Sequence, residues 1–347
     1  MVTSQVQINQ QLPRLASDVR NTVGSGLGGI LDRAGLSDDM AGVEALLLER
    51  TVSRSPLIAA AGAHIFAAGG KRLRAALVLL AAQLGQYSFA RASHPAVAVE
   101  LLHAASLVHD DLVDHAQQRR GRITVHSRWD RDVALMLGDY FFGLAARELA
   151  NEPDPRIIQF YTGAAQTMVE GELNPVVQLR PVDVARAQYY RKIGAKTAAL
   201  FAAACKAGIA VAGGDNAQTE ALGRYGYDLG LAFQIVDDVL DYTGDELTLG
   251  KPAGNDLREG TLTLPLIYAV EQGDDTRLEA IARDLRVKNE QVAQIVRVVI
   301  DTGGTARALE DARSLLLRAS SHLAGFPSGA AHRALDEITS FILAREH

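Results

Sequence analysis

Two runs of aspartate, HDDLVD at 109–114 and VDDVLD at 236–241, hold the residues of this chain best suited to chemistry. Each places carboxylates at i, i+1 and i+4 within an apolar stretch that reads as helix, and i and i+4 lie one turn apart on one face. Asp110 and Asp114 therefore point the same way, as do Asp237 and Asp241. Carboxylates gathered in apolar surroundings repel one another and lose hydration, so packing alone does not account for them. A hard divalent cation with oxygen ligands offsets both costs, and Mg²⁺ bridges a few carboxylates to substrate phosphates. Either run alone also fits a solvated acidic face or a set of helix caps. The pair, both inside apolar helices, points to a clamp for diphosphate held between metals.

The stripes extend further. His103 stands seven residues before Asp110 and eleven before Asp114, within about 20° of each around a helix. Gln234, Asp237 and Asp241 follow one another at i, i+3 and i+7. Cations lie in separate clusters. In GGKRLR (69–74), Lys71 and Arg74 are one turn apart behind a glycine pair, where free backbone N–H groups and the helix dipole favour an anion. QQRRGR (117–122) supplies Arg119 and Arg120, whose guanidinium groups bind phosphate oxygens bidentately. Lys196 and Thr197 in GAKTAAL, and Lys251 in LGKPAGND, have less pattern of their own. Carboxylates, cations and intervening apolar helices together describe a site for one or two diphosphates carrying apolar tails.

The elements that position these groups are helical. Of 347 residues, 48% are hydrophobic and only 5% aromatic, Pro numbers 10, and Ala and Leu are plentiful, a balance that favours helix over sheet. Periodicity predicts helices near 41–51, 55–68, 71–85, 94–115, 131–150, 155–175, 182–193, 196–212, 215–242, 261–271, 275–284, 288–301, 304–323 and 329–344. Breaks fall at Gly69-Gly70, Pro153, Gly213-Gly214 and Gly250-Lys251-Pro252. Pro265 belongs in a first turn or at a kink. Residues 1–40 read as a polar, loosely attached extension with room for a short helix, and 41–347 as one all-α domain without alternating β runs.

Charge and cysteine use narrow the classes. A net charge of −6 without a basic stripe interleaved with aromatics excludes a general nucleic-acid binder. One cysteine, Cys205, in Ala-rich FAAACKAG, rules out an intrachain disulfide framework and suits packing in a reducing compartment. The start of the chain lacks the pattern of a secretory signal, and apolar runs such as AALVLLAA (75–82) fall short of the ~20 residues a spanning helix needs. A soluble, cytoplasmic protein is expected.

GGKRLR, ELLHAASLVHDDLVDHAQQRRG, GAKTAALF, FQIVDDVLD and GKPAGNDLREGTLTLPLIYA occur in that order, and from about residue 45 onward the chain resembles the trans-prenyl diphosphate synthases, the polyprenyl synthetase family. The resemblance implies a bundle of antiparallel helices around a deep central cavity, assembled as a homodimer, with isopentenyl diphosphate and an allylic diphosphate as substrates and three Mg²⁺ per active site. It makes Asp110 and Asp114 ligands of the Mg²⁺ ions that hold the allylic diphosphate, with Asp111 beside them, and Asp237, with Asp241 nearby, the holder of a further Mg²⁺. Lys71, Arg74, His103 and Arg120 match binders of the isopentenyl diphosphate, and Arg119, Lys196, Thr197, Gln234 and Lys251 match the allylic side. Catalysis is expected to rest on Asp110, Asp114, Asp237, Asp241 and Lys196. Two positions depart from the family pattern: Ala75 replaces a common proline, and Thr261 a common lysine.

The implied reaction is head-to-tail condensation: an allylic C–O bond breaks, the double bond of isopentenyl diphosphate attacks the cation, and a proton is lost to the departing pyrophosphate. Catalysis then depends on leaving-group stabilisation in a dry cavity. His103 reads as a diphosphate ligand rather than a general base. Ser106, one turn before Asp110, and Ala105 are small where short-chain relatives carry a bulky aromatic, so a product longer than farnesyl diphosphate is expected. Met136 or Phe141 on the facing helix is available to close the floor lower down. Release of such a product implies transient membrane contact without a transmembrane segment. Three rivals remain: a terpene cyclase, which lacks a second diphosphate site; a helical metal-dependent phosphohydrolase, suggested by His109-Asp110; and a regulatory subunit of a heteromeric synthase, in which acidic motifs would be lost.

Overall fold

The computed structural model describes residues 26–66, 70–119, 121–174, 176, 178–244, 253–272, 277–278, 281, 287 and 289–344. It is 78% helical. The helices are α1 (Leu27–Arg33), α2 (Ser37–Arg50), α3 (Pro56–Phe66), α4 (Leu73–Ala82), α5 (Phe89–Val113), α6 (Val125–Arg128), α7 (Arg131–Leu149), α8 (Pro155–Glu172), α9 (Val182–Ile193), α10 (Ala199–Val211), α11 (Asn216–Thr243), α12 (Asn255–Arg258), α13 (Leu264–Gln272), α14 (Asn289–Asp301), α15 (Gly304–Ser321) and α16 (Ala330–Leu343). A π-helical segment, Gly194–Ala198, joins α9 to α10.

Burial follows composition. In α4 every residue from Leu73 to Ala82 except Arg74 is buried, as expected of a helix apolar on all faces. Alanine and glycine let its neighbour α10 come close: a Cβ on Gly208 would stand 2.3 Å from the Val78 carbonyl oxygen. Around this pair α5 packs on α4 and α7, α8 on α10, and α11 between α10 and α15. Sequence-local caps set several starts. Asp154 accepts from the Arg156 N–H ahead of Pro155, Asp130 caps α7, and Asp215 with Gln218 forms a capping box on α11. Pro265 lies in the first turn of α13.

Several expectations are corrected. Among the described residues helix is present from Leu27, inside the stretch expected as an extension with room for a short helix: Leu27, Ile30, Leu31 and Ala34 form an i, i+3, i+4, i+7 stripe that is buried, with α1 resting on α16. The first acidic helix starts at Phe89 instead of 94 and continues through Pro95, whose carbonyl accepts from the buried Tyr161 hydroxyl at 2.9 Å. A small antiparallel hairpin pairs Gln118–Arg119 with Arg122–Ile123, turning at Gly121 with φ 72°. The continuous helical run Val182–Val211 is long and apolar enough to cross a membrane, against expectation, but it is mostly buried among its neighbours as a core helix is. Most of the helix predicted at 275–284 lies outside the described residues.

Candidate active site

The aspartates of each acidic motif differ in burial, because successive helical residues point about 100° apart. Asp114 and Asp237 are exposed and Asp110 is half-buried, whereas Asp111 and Asp238 are buried. Asp111 takes an ion pair from Arg119 Nε at 2.6 Å, which fastens the hairpin to α5. Burial, only partly countered by Arg119, raises the Asp111 carboxyl above the ordinary range. Asp238 accepts from the Tyr189 hydroxyl at 2.6 Å and from Gln234 Nε2 at 2.9 Å. Burial pushes its pKa up to about 7 against those two donors.

The π segment stands between the acidic helices. Lys196 Nζ is 3.3 Å from Asp110 Oδ2 and 2.8 Å from Glu172 Oε1. The next residue, Thr197, donates to Gln234 Oε1 at 2.9 Å. Consecutive residues thus reach α5 and α11, and the two distant motifs flank one segment. Close packing holds it. A Cβ on Gly171 would lie 2.4 Å from Ala195 Cβ, and one on Gly230 2.6 Å from Ala198 Cα. π turns concentrate at functional sites because the extra residue re-aims side chains. Burial raises the Asp110 carboxyl while Lys196 pulls it back. On Lys196 burial opposes the charge, yet Asp110 and Glu172 outweigh it and raise the ammonium.

Asp241 does more than stand beside Asp237. Its two carboxylate oxygens accept the N–H groups of Asn255 (3.1 Å) and Asp256 (3.0 Å), capping α12. Asp256 is held well above the usual carboxylate range by burial and by the charges of Asp238 and Asp241. Such crowded oxygen donors suit a hard cation shared with phosphate. Among the described residues no three His, Cys, Asp or Glu side chains close on a common point tightly enough to hold a metal by themselves.

Of the expected cations, Arg74 lies 4.9 Å from the Phe201 ring, one turn beyond Thr197, and Lys71 lies 5.4 Å from the Phe341 ring. His103 is half-buried on α5. Arg120 and Lys251 fall outside the described residues. Ala105 is fully buried, whereas Ser106 is half-buried and donates to the His103 carbonyl at 2.9 Å. Phe141 is fully buried, its ring 5.5 Å from that of Phe66, but Met136 is 61% exposed on the outer face of α7. His109 turns to α7, its Nε2 3.1 Å from the Leu135 carbonyl. Cys205 is fully buried. Sequence spacing gives no signal for Glu172, Tyr189 or Asp256, which join the site from other helices or across a loop.

Residues 55–300 match the family model described as polyprenyl synthetase. Heptaprenyl diphosphate synthase component 2 of Geobacillus stearothermophilus is 37% identical over 314 residues, covering 90% of this chain and 97% of that one. Octaprenyl diphosphate synthase of Haemophilus influenzae is 36% identical over 278 residues, covering 80% of each. The crystal structure of a polyprenyl synthase from Caulobacter crescentus, complexed with calcium and isoprenyl diphosphate, superposes with TM-score 0.85 at 36% identity, covering 91% of this chain and 98% of that one.

Proposed function

Since the chain belongs to the polyprenyl synthetase family, we propose that it is a Mg²⁺-dependent trans-polyprenyl diphosphate synthase, adding isopentenyl diphosphate head-to-tail to an allylic diphosphate until the product exceeds farnesyl diphosphate. One observation carries the reading of the site: adjacent Lys196 and Thr197 contact Asp110 on one acidic helix and Gln234 on the other. Asp110, Asp114 and Asp237 would hold three Mg²⁺. When bound, these ions neutralise the charge of the departing diphosphate. Lys196 and Arg119 add fixed positive charge on the allylic side, and Thr197 and Gln234 orient each other there. Lys71, Arg74 and His103 bind the second diphosphate. Buried apolar helices exclude water from the carbocation, and the released pyrophosphate accepts the proton. The oxygen-only carboxylate set, crowded enough to raise Asp256, supports the metal requirement.

Small Ala105 and Ser106 below Asp110 support a long product, as do relatives named heptaprenyl and octaprenyl diphosphate synthases. Residues 41–347 act as one catalytic domain in this reading. Exposed Leu135 and Met136 on α7, with Ile158 and Val169 on α8, support a homodimer. A cytoplasmic enzyme that meets the membrane only to release product completes the proposal. The terpene-cyclase rival is disfavoured by a basic start to α4 that a single diphosphate does not need. The phosphohydrolase rival is disfavoured by His109, which faces α7. A second reading, action beside another chain, is favoured by the relative named a component. Incubating the purified chain with Mg²⁺, isopentenyl diphosphate and allylic primers tests the proposal: long prenols from this chain alone support it, and turnover only after adding a second chain supports the component reading.

A further inference from the structure

Glu100 is a charged side chain inside the bundle for which the proposed reaction has no use. It is 4% exposed and lies on α5 one turn before His103. Its Oε1 accepts the Ala75 N–H at 3.1 Å, and its Oε2 lies 3.7 Å from Arg72 NH1. A buried carboxylate is costly without partners, so its two contacts indicate what it holds in place: both belong to the start of α4.

Arg72 of GGKRLR has its side chain largely buried. It occupies the left-handed region, φ 46° and ψ 37°, at the N-cap of α4, a conformation strained for a non-glycine residue. The guanidinium folds inward, donates to the Phe66 carbonyl at 3.3 Å and stands 5.5 Å from the Phe66 ring. With Arg72 turned to the inside, Lys71 is left exposed and Arg74 half-buried against Phe201. The Ala75 N–H used by Glu100 exists because this position is not proline.

Resting on the prenyltransferase reading, we propose that Glu100 and Arg72 are positioning residues for the isopentenyl-diphosphate subsite. By gripping the first turn of α4 from the helix that carries His103, Glu100 sets the spacing of Lys71 and Arg74 to His103, and Arg72 fixes the turn that aims them.

Steady-state kinetics of Glu100→Gln and Arg72→Gly, varying each substrate in turn, test this. Gln retains the acceptor for Ala75 but removes the charge facing Arg72; Gly adopts the turn without strain but has no guanidinium. The expected result for both is a rise of about tenfold in KM for isopentenyl diphosphate, with KM for the allylic primer and kcat at saturation within about twofold. Calorimetric titration of isopentenyl diphosphate into the folded variants should show the same weakening. Should either fail to fold by circular dichroism, Glu100→Asp, which keeps the charge but shortens its reach to the Ala75 N–H and Arg72, should shift the same KM in the same direction. An unchanged KM for isopentenyl diphosphate, or equal rises for both substrates, overturns the proposal while leaving the reaction assignment intact. A wild-type chain that consumes no isopentenyl diphosphate overturns both.

Discussion

Lys196 reaches Asp110 across the bundle, Nζ to Oδ2 at 3.3 Å. The contact places a cation where the first acidic motif would meet a diphosphate, and it comes from a segment whose next residue touches the second acidic helix. Positive charge held by the protein before substrate arrives is the kind of preorganisation that stabilises a departing anion. Lys196→Met should therefore reduce kcat by about 100-fold or more with little change in helix content. Single-turnover measurement of allylic diphosphate consumption checks it; a wild-type rate would remove Lys196 from the catalytic set.

Product length should respond to Ser106. It is half-buried one turn before Asp110, and an aromatic ring there is far bulkier than the hydroxymethyl group it replaces. Ser106→Phe is expected to shorten the product by at least one isoprene unit, since one helical turn of about 5.4 Å is comparable to such a unit. Chromatography of the dephosphorylated prenols gives the answer, and an unchanged ladder rejects a floor at this level.

Close packing of the π segment gives a stability and rate prediction. A methyl on Gly230 would stand 2.6 Å from Ala198 Cα and 3.2 Å from Phe201 Cβ. Gly230→Ala should destabilise the fold by roughly 1–3 kcal/mol through overpacking and lower kcat by moving Thr197 away from Gln234. Denaturant unfolding together with kinetics tests the pairing; a loss of stability with an untouched rate would separate the packing from the site.

Acid sensitivity should appear at Asp154, the N-cap of α8, which belongs to neither acidic motif. The Arg156 side chain, bonded to it, and the Arg156 N–H it caps hold its carboxyl below the ordinary range despite partial burial. A depressed folded-state pKa contributes stability that is present above the unfolded value near about 3.9 and is lost as pH falls through the folded value. Asp154→Ala should thus cost about 1 kcal/mol at pH 7 and less at about pH 3, below the unfolded value. Thermal unfolding at both pH values measures the difference, and an equal loss at each would contradict the linkage.

The local parts of this molecule were legible in its residue order. Spacing alone paired Asp110 with Asp114, and the apolar run of α4 announced an interior helix. Which aspartate of each doublet turns inward was not, because the partners of Asp238 include Tyr189, 49 positions away. The π turn was equally hidden. Nothing in GAKTA specifies it, and the glycines that admit it, Gly171 and Gly230, belong to other helices. Near the N-terminus, residues 1–40 read as a polar extension with room for a short helix, and the stripe from Leu27 to Ala34 within it finds a partner in α16. Local chemistry is written in short spacings; choices of partner depend on the closed bundle.

The most direct measurement is the chain-length distribution made by the purified chain alone from Mg²⁺, labelled isopentenyl diphosphate and an allylic diphosphate primer. Labelled prenols longer than farnesol, lost when Asp110 or Asp237 is changed to Asn, are the predicted result. Consumption of the primer without incorporation of isopentenyl units, or full activity in both Asn variants, would contradict the account.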